Sequence, residues 1–201
     1  LPPIMVKYSI KNKDVMGKML LVIDAQYDFL DGGNLAVNGS MEKMNNLVEH
    51  ISNENYDVIV FTADWHPHDH MSFVKKGGMW PAHCVQHTHG AAIYQPLFDI
   101  AHEKCELTQI LEKGNIRSKE EYSVMDNHLS SLILLRAIGL YKIQQIDVCG
   151  IAGDYCVKES IQGLLKHGLK DNICVLKDFC PSIDDGTVLN NFIVENGLKS
   201  I

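Results

Sequence analysis

The sequence predicts an α/β fold, a three-layer sandwich with a mostly parallel central sheet and helices on both faces. Short β-branched runs alternate with amphipathic stretches, and the runs are apolar at nearly every position, as strands covered on both faces must be. Strand, helix and strand in succession further imply parallel pairing through right-handed crossovers. The first strand is MLLVID (Met19 to Asp24). Met44, Leu47, Val48 and Ile51 then keep helical spacing and lead to a second strand, DVIVFTAD (Asp57 to Asp64). LTQILEK (Leu107 to Lys113) is a shorter strand and IDVCG (Ile146 to Gly150) a buried one. Val157, Ile161, Leu164 and Leu165 form the apolar stripe of another helix, with Gly168 where a C-cap belongs. NICVLKD (Asn172 to Asp178) reads as the last strand. From Trp65 to His102 the rhythm breaks in a stretch rich in Gly, His, Pro and Trp. A loop that long in a compact domain is usually functional.

The 201 residues suit one domain over 1–201, with residues 65–106 as its long loop-rich segment. At 46% hydrophobic and 21% charged residues, the chain can bury a core and is not a disordered tail. Lys and Arg number 18 against 25 Asp and Glu, a net charge of −7, which argues against nucleic acid as the main partner. No run approaches the roughly 18 apolar residues of a membrane span. The first residues, LPPIMVKYSIKNKD, lack the apolar stretch of a secretory signal. Six cysteines are too sparse for a disulfide framework, so a reduced, cytoplasmic protein is expected.

In an open α/β sheet, ligands bind beyond the carboxyl ends of the strands. Asp24, Asp64 and Lys113 close three strands there, and the turn after Gly150 leads to Cys156. In GIAGDYCVKES, Asp154 is expected to cap the helix and to place Cys156 near its second position. Free amides and the helix dipole there favour a thiolate and could hold an oxyanion. Position alone also fits a small buried residue, the reading taken for Cys149 and Cys174 within their strands. Asp24 and Lys113 add a carboxylate to take the thiol proton and an ammonium to stabilise the anion. No serine stands in a G-x-S-x-G elbow, which argues against a serine hydrolase. Asp64 and His66 are two apart at a strand end and so share a face. With His83 they make two imidazoles and a carboxylate, a common set for an open zinc or non-haem iron site. His70 is a fourth ligand or an outer-shell group. His68, His87, His89, His102 and His128 read as surface residues.

Taken together, these residues match a known pattern. The chain resembles the nicotinamidases, within the isochorismatase-like cysteine hydrolases, over nearly its whole length. The matching segments are VIDAQYDF (22–29), GGNLAV (32–37), ADWHPHDHMSF (63–73), WPAHCVQHTHGA (80–91), Lys113-Gly114, Tyr122-Ser123 and GIAGDYCV (150–157), in the family's order and spacing. The resemblance implies that Asp24, Lys113 and Cys156 are the catalytic triad. It implies that Asp64, His66 and His83 hold one divalent metal, zinc foremost with iron or manganese also fitting, and that His70 is a ligand in some members only. It implies a cis peptide at Ile151-Ala152 that helps aim the amides of Ala152 and Cys156 into an oxyanion hole. Phe29, Trp80, Tyr122, Ile151 and Tyr155 fall where the family lines its pyridine pocket. The activity implied is hydrolysis of nicotinamide to nicotinate and ammonia in NAD salvage, with a homo-oligomer left open. Two places depart from the pattern. Gly153 stands for the usual Thr, and Val124-Met125 for a small residue and Phe. An amidase for another small amide and a metal-binding module without turnover are the competing readings. The metal set argues against the first, and a carboxylate and lysine gathered beside a thiol argue against the second.

Overall fold

The computed structural model describes residues 17–201. The N-terminal stretch read for a secretory signal lies outside them. Six strands form one sheet: β1 (Gly17–Ile23), β2 (Val58–Asp64), β3 (Thr108–Lys113), β4 (Ile143–Gly150), β5 (Ile173–Val175) and β6 (Lys199–Ser200). Their order is β3-β2-β1-β4-β5-β6, and every pairing is parallel. Five helices cross between them: α1 (Ser40–Asn53), α2 (Gln95–Lys104), α3 (His128–Leu140), α4 (Lys158–Lys166) and α5 (Thr187–Asn196). The right-handed crossover rule puts α1 and α2 on one face and the other three on the opposite face.

Burial explains the strand patterns. All seven residues of β2 are buried, as are six of seven in β1, because both strands lie inside the sheet with helices above and below. At the β3 edge, only Leu111 and Lys113 are buried. α1 buries Met44, Leu47 and Ile51, and α4 buries Ile161 and Leu164, the stripes their spacing requires. Gly168 follows α4 with φ +75°, the left-handed position that ends a helix at low cost in glycine.

Several expectations are corrected. The last strand is three residues, not seven. β5 pairs with β4 only over Ile146–Val148, and Lys177–Phe179 close into a tight turn whose first amide donates to Ile201 O at 3.0 Å. Helix α2 occupies the end of the segment expected to be loop. The structure also adds α3, α5 and β6. α3 is apolar nearly all round, with Leu129, Leu132 and Leu140 exposed while Leu134 and Ile138 are buried, so it shows no amphipathic period. Cys149 is buried as expected, whereas Cys174 is half-buried.

In the middle of β4, buried Asp147 is a polar hub. It accepts from Tyr56 Oη at 2.9 Å and Gln145 Nε2 at 2.7 Å, with Lys18 Nζ 3.2 Å away. Asp147→Asn removes the charge that these donors serve. It is expected to cost about 1–3 kcal/mol in urea unfolding, while leaving chemistry beyond the carboxyl ends of the strands unchanged.

Candidate active site

The chain leaves β1 toward β2 and β3, then returns to place β4 on the other side of β1. The order reverses between those neighbours, and the crevice beyond their carboxyl ends is the binding position of such sheets. Asp24 follows β1, Asp64 ends β2, Lys113 ends β3, and the turn carrying Cys156 follows β4. The structure brings all four together.

Lys113 is fully buried at the centre. Its Nζ lies 2.8 Å from Asp24 Oδ2, 2.5 Å from Asp64 Oδ1 and 3.6 Å from Cys156 Sγ, and it donates to Glu121 O at 3.4 Å. Burial opposes the ammonium, but Asp24, Asp64 and Cys156 outweigh it and hold the Lys113 pKa well above its ordinary value. The Thr62 hydroxyl donates to Asp24 Oδ1 at 2.6 Å, while Asp24 Oδ2 faces the Lys113 ammonium. Burial raises the Asp24 pKa above the usual carboxylate range; Lys113 pulls it down, and Asp64 adds to the rise. Asp24 is therefore a carboxyl disposed to accept a proton. One of its oxygens lies within 4.8 Å of Cys156 Sγ.

Burial pushes the Cys156 pKa well above that of a free thiol, against the pull of Lys113, and the two carboxylates push the same way. The expected Asp154 cap is corrected. Its carboxylate accepts from the amides of Ile183 and Asp184 at 2.9 and 3.0 Å. Gly153–Val157 form a π-turn, and α4 begins at Lys158. Cys156 thus precedes the α-helix instead of standing at its second position. The Ile151-Ala152 bond is cis. Within this turn the amide of Gly153 donates to Pro181 O, and those of Tyr155 and Val157 to Ala152 O. Those of Ala152 and Cys156 are not among these internal bonds.

The carboxylate of Asp64 joins two groups. Its Oδ1 faces Lys113, while Oδ2 lies 3.6 Å from His66 Nε2 and 3.9 Å from His83 Nε2. His66 Nδ1 bonds Gly114 O at 2.9 Å and His83 Nδ1 bonds Pro81 O at 2.8 Å. A carbonyl only accepts, so each Nδ1 carries the proton and each Nε2 presents its lone pair. The three ligand atoms lie within 4.8 Å of one another, all on buried residues. This donor set fits a divalent first-row metal. The loop is laid beside His66 by backbone bonds, His66 N to Cys84 O at 3.0 Å and Gln86 N to His66 O at 2.9 Å. His70 stacks on His66 with ring centroids 4.2 Å apart. His66, His70 and Glu120 also come close together, but His70 spends its Nδ1 on Ser72 Oγ and its Nε2 on Lys119 O. It stands behind His66, outside the Asp64, His66 and His83 group.

Trp80 Nε1 donates to Tyr122 Oη at 3.2 Å, and the Tyr155 ring lies 5.2 Å from Trp80 and 6.0 Å from Tyr122. The three half-buried rings make one aromatic wall. Phe29 sits apart from them, buried 5.5 Å from the His83 ring. Ile151 is fully buried and anchored by its amide to Ile23 O. The five histidines read as surface residues are all exposed.

Sequence reasoning missed the residues that hold these groups. Gln26 Nε2 donates to Asp64 O and Ala91 O, and its Oε1 accepts from Asp64 N, all at 2.8 Å. Asp28 Oδ2 accepts from Cys84 N at 2.7 Å beside His83. The signal for Thr62 was a polar residue in an otherwise apolar strand, two before Asp64 and so on the same face.

The Isochorismatase domain family matches residues 18–192, and the chain belongs to that family. Among its relatives, a nicotinamidase of Acinetobacter baylyi is 32% identical over 200 residues, covering 88% of this chain and 86% of the relative. A pyrazinamidase of Pyrococcus horikoshii, solved in complex with zinc, superposes with a TM-score of 0.74 at 30% identity, over 92% of this chain and 98% of that one. The PnC1 protein of L. infantum, solved with nicotinate, superposes at 0.80 with 29% identity, over 92% of both chains.

Proposed function

We propose that this protein hydrolyses nicotinamide to nicotinate and ammonia through a cysteine thioester. The observation that carries the reading is the buried convergence of Cys156, Lys113 and Asp24 beside the Asp64, His66 and His83 donor set. Nicotinamidase and nicotinate-bound relatives support the substrate.

The Asp24 carboxylate takes the Cys156 proton as the amide enters, and Lys113 stabilises the new thiolate. Sulfur attacks the carboxamide carbon, and the amides of Ala152 and Cys156 receive the oxyanion. The tetrahedral adduct collapses as protonated Asp24 gives its proton to the departing nitrogen, which leaves as ammonia. Asp24, again a carboxylate, deprotonates water, and the hydroxide attacks the thioester carbonyl. Nicotinate leaves, and the returning proton restores the Cys156 thiol. The aromatic wall of Trp80, Tyr122 and Tyr155, with Phe29 near His83, supplies stacking faces for the pyridine ring. A metal held by Asp64, His66 and His83 would supply Lewis-acid contact to the pyridine nitrogen or to water, with zinc favoured by the zinc-bound relative. The same reading assigns the reaction to NAD salvage. Six free cysteines fit a reducing, cytoplasmic setting, and among the described residues no helix is long and apolar enough to cross a membrane.

The test is ammonia release from nicotinamide by the purified protein, as prepared, after chelation and after zinc is restored. Release is expected to fall at least about 10-fold on chelation, the scale of losing one positioning contact, and to recover with zinc. No release from folded, zinc-loaded protein would overturn the reading.

A further inference from the structure

The residue that ties the two halves of the site together is one that neither the proposed chemistry nor the metal set uses. Glu121 is 1% exposed, a carboxylate buried with every oxygen committed. Oε2 accepts from the Gly114 amide at 2.8 Å and Asn127 Nδ2 at 3.0 Å, and Oε1 from Lys119 Nζ at 2.7 Å. These bonds outweigh the burial that opposes the charge and hold its pKa below the ordinary value. Asn127 in turn caps α3 through Ser130 N at 3.2 Å. The carboxylate is thereby fastened to a helix, not to a loop alone.

What it fastens is the backbone at Gly114, between Lys113 and the carbonyl that bonds His66. Gly114 follows Lys113 with φ +66°, a conformation that favours glycine, and a Cβ there would lie 2.4 Å from His66 Cε1. The Gly114 amide points to Glu121 while its carbonyl accepts from His66 Nδ1. That amide belongs to the Lys113-Gly114 peptide and that carbonyl to the Gly114-Asn115 peptide. The Gly114 dihedrals therefore carry the orientation of the first, held by Glu121, to the second, which bonds His66 Nδ1 and so directs Nε2. The Glu121 carbonyl meanwhile accepts from Lys113 Nζ at 3.4 Å, and the neighbouring Lys119 carbonyl accepts from His70 Nε2 at 2.9 Å.

We infer that Glu121 is a positioning residue for the metal ligand His66, acting through the backbone on either side of the Gly114 Cα. The inference rests on the metal reading of Asp64, His66 and His83. Groups that orient a ligating histidine typically matter 10–100-fold in metal affinity. The Glu121 side chain is bonded to neither a ligand atom nor the thiol, so any such effect must pass through the groups it holds, the Gly114 backbone first among them.

The test titrates Co(II) alone into the metal-free proteins and follows both affinity and the visible ligand-field spectrum. Glu121→Ala is expected to weaken Co(II) binding by about 10–100-fold and to change the spectrum. Glu121→Gln keeps an oxygen for the Gly114 amide and should recover part of that affinity. Asp147→Asn, which is also expected to lower stability but whose partners Lys18, Tyr56 and Gln145 include no group of the site, should bind as the wild type does. If Glu121→Ala does not fold, Glu121→Gln is read alone, with a smaller weakening expected. Wild-type affinity and spectrum in the folded Glu121 variants would overturn the inference while leaving the metal reading standing. Failure of the wild type to take up Co(II) would overturn both.

Discussion

Cys156→Ala is expected to lower kcat for nicotinamide by at least about 10⁴-fold, because removing a nucleophile removes the covalent route and leaves only binding and the oxyanion contacts. The fold should survive. Cys156 sits in a turn fixed by backbone bonds, Gly153 N to Pro181 O and Val157 N to Ala152 O, that do not involve its side chain. Asp24→Asn should lose nearly as much, since an amide cannot take the thiol proton and the thiol is held protonated by burial. The two losses should not add, because each disables the same step. Ammonia release by each single variant and by the double variant measures this. Activity within 10-fold of wild type in Cys156→Ala would remove the thiol from the mechanism. Full activity in Asp24→Asn would mean that a different group takes the proton.

The parts of the site legible in the sequence were those carried by strand ends. Asp24, Asp64 and Lys113 each close an apolar run, and a parallel sheet must gather such positions at one edge. His66 was legible because it lies two residues beyond Asp64. His83 was legible only as a histidine in a segment without periodicity; what brings it to His66 is a pair of backbone bonds to Cys84 and Gln86, which no side-chain pattern encodes. The same limit hid Glu121 and Gln26. Each acts by holding another residue's backbone, and a single polar residue in a loop or after a strand carries no period. Asp154 misled for a related reason. It has the chemistry of a helix cap, but the amides of Ile183 and Asp184, some thirty residues on, compete for its carboxylate and win.

The two departures from the family pattern become intelligible in three dimensions. A Cβ on Gly153 would lie 2.3 Å from Ser182 Oγ and 3.1 Å from Leu189 Cδ2. The space of a larger side chain is taken by the segment after β5, so the turn before Cys156 is packed from outside. Met125 lies against α4, where a Cβ on Gly163 would come 2.5 Å from its own Cβ. That contact uses Met125 as packing between α4 and the turn after Ser123. Neither change alters a group that contacts Cys156, Asp24 or Lys113.

Lys113→Met should be the most damaging substitution for stability. One fully buried ammonium balances Asp24 and Asp64, and removing it leaves two carboxylates facing each other without a cation. Breaking a buried ion pair in this way costs about 3–5 kcal/mol, a large share of the roughly 5–15 kcal/mol that holds a domain together. The pH dependence distinguishes this cause from simple misfit of the new side chain. In the wild type, Asp24 already has a raised pKa. Its contribution is therefore present below the unfolded value and is lost as pH rises through the folded one. Lys113, also raised, contributes below its unfolded value and loses that contribution only on the alkaline side. Removing the ammonium takes away the main force lowering both carboxyl pKa values, so both move upward in the variant. The deficit against wild type should then be largest near neutral pH and shrink as acid protonates the pair. Urea unfolding of both proteins at neutral pH and at about pH 5, one unit above the ordinary carboxylate range, reads it directly. A deficit that stays the same at both would assign the loss to packing, and an unchanged midpoint at neutral pH would show that the cluster does not depend on its central charge.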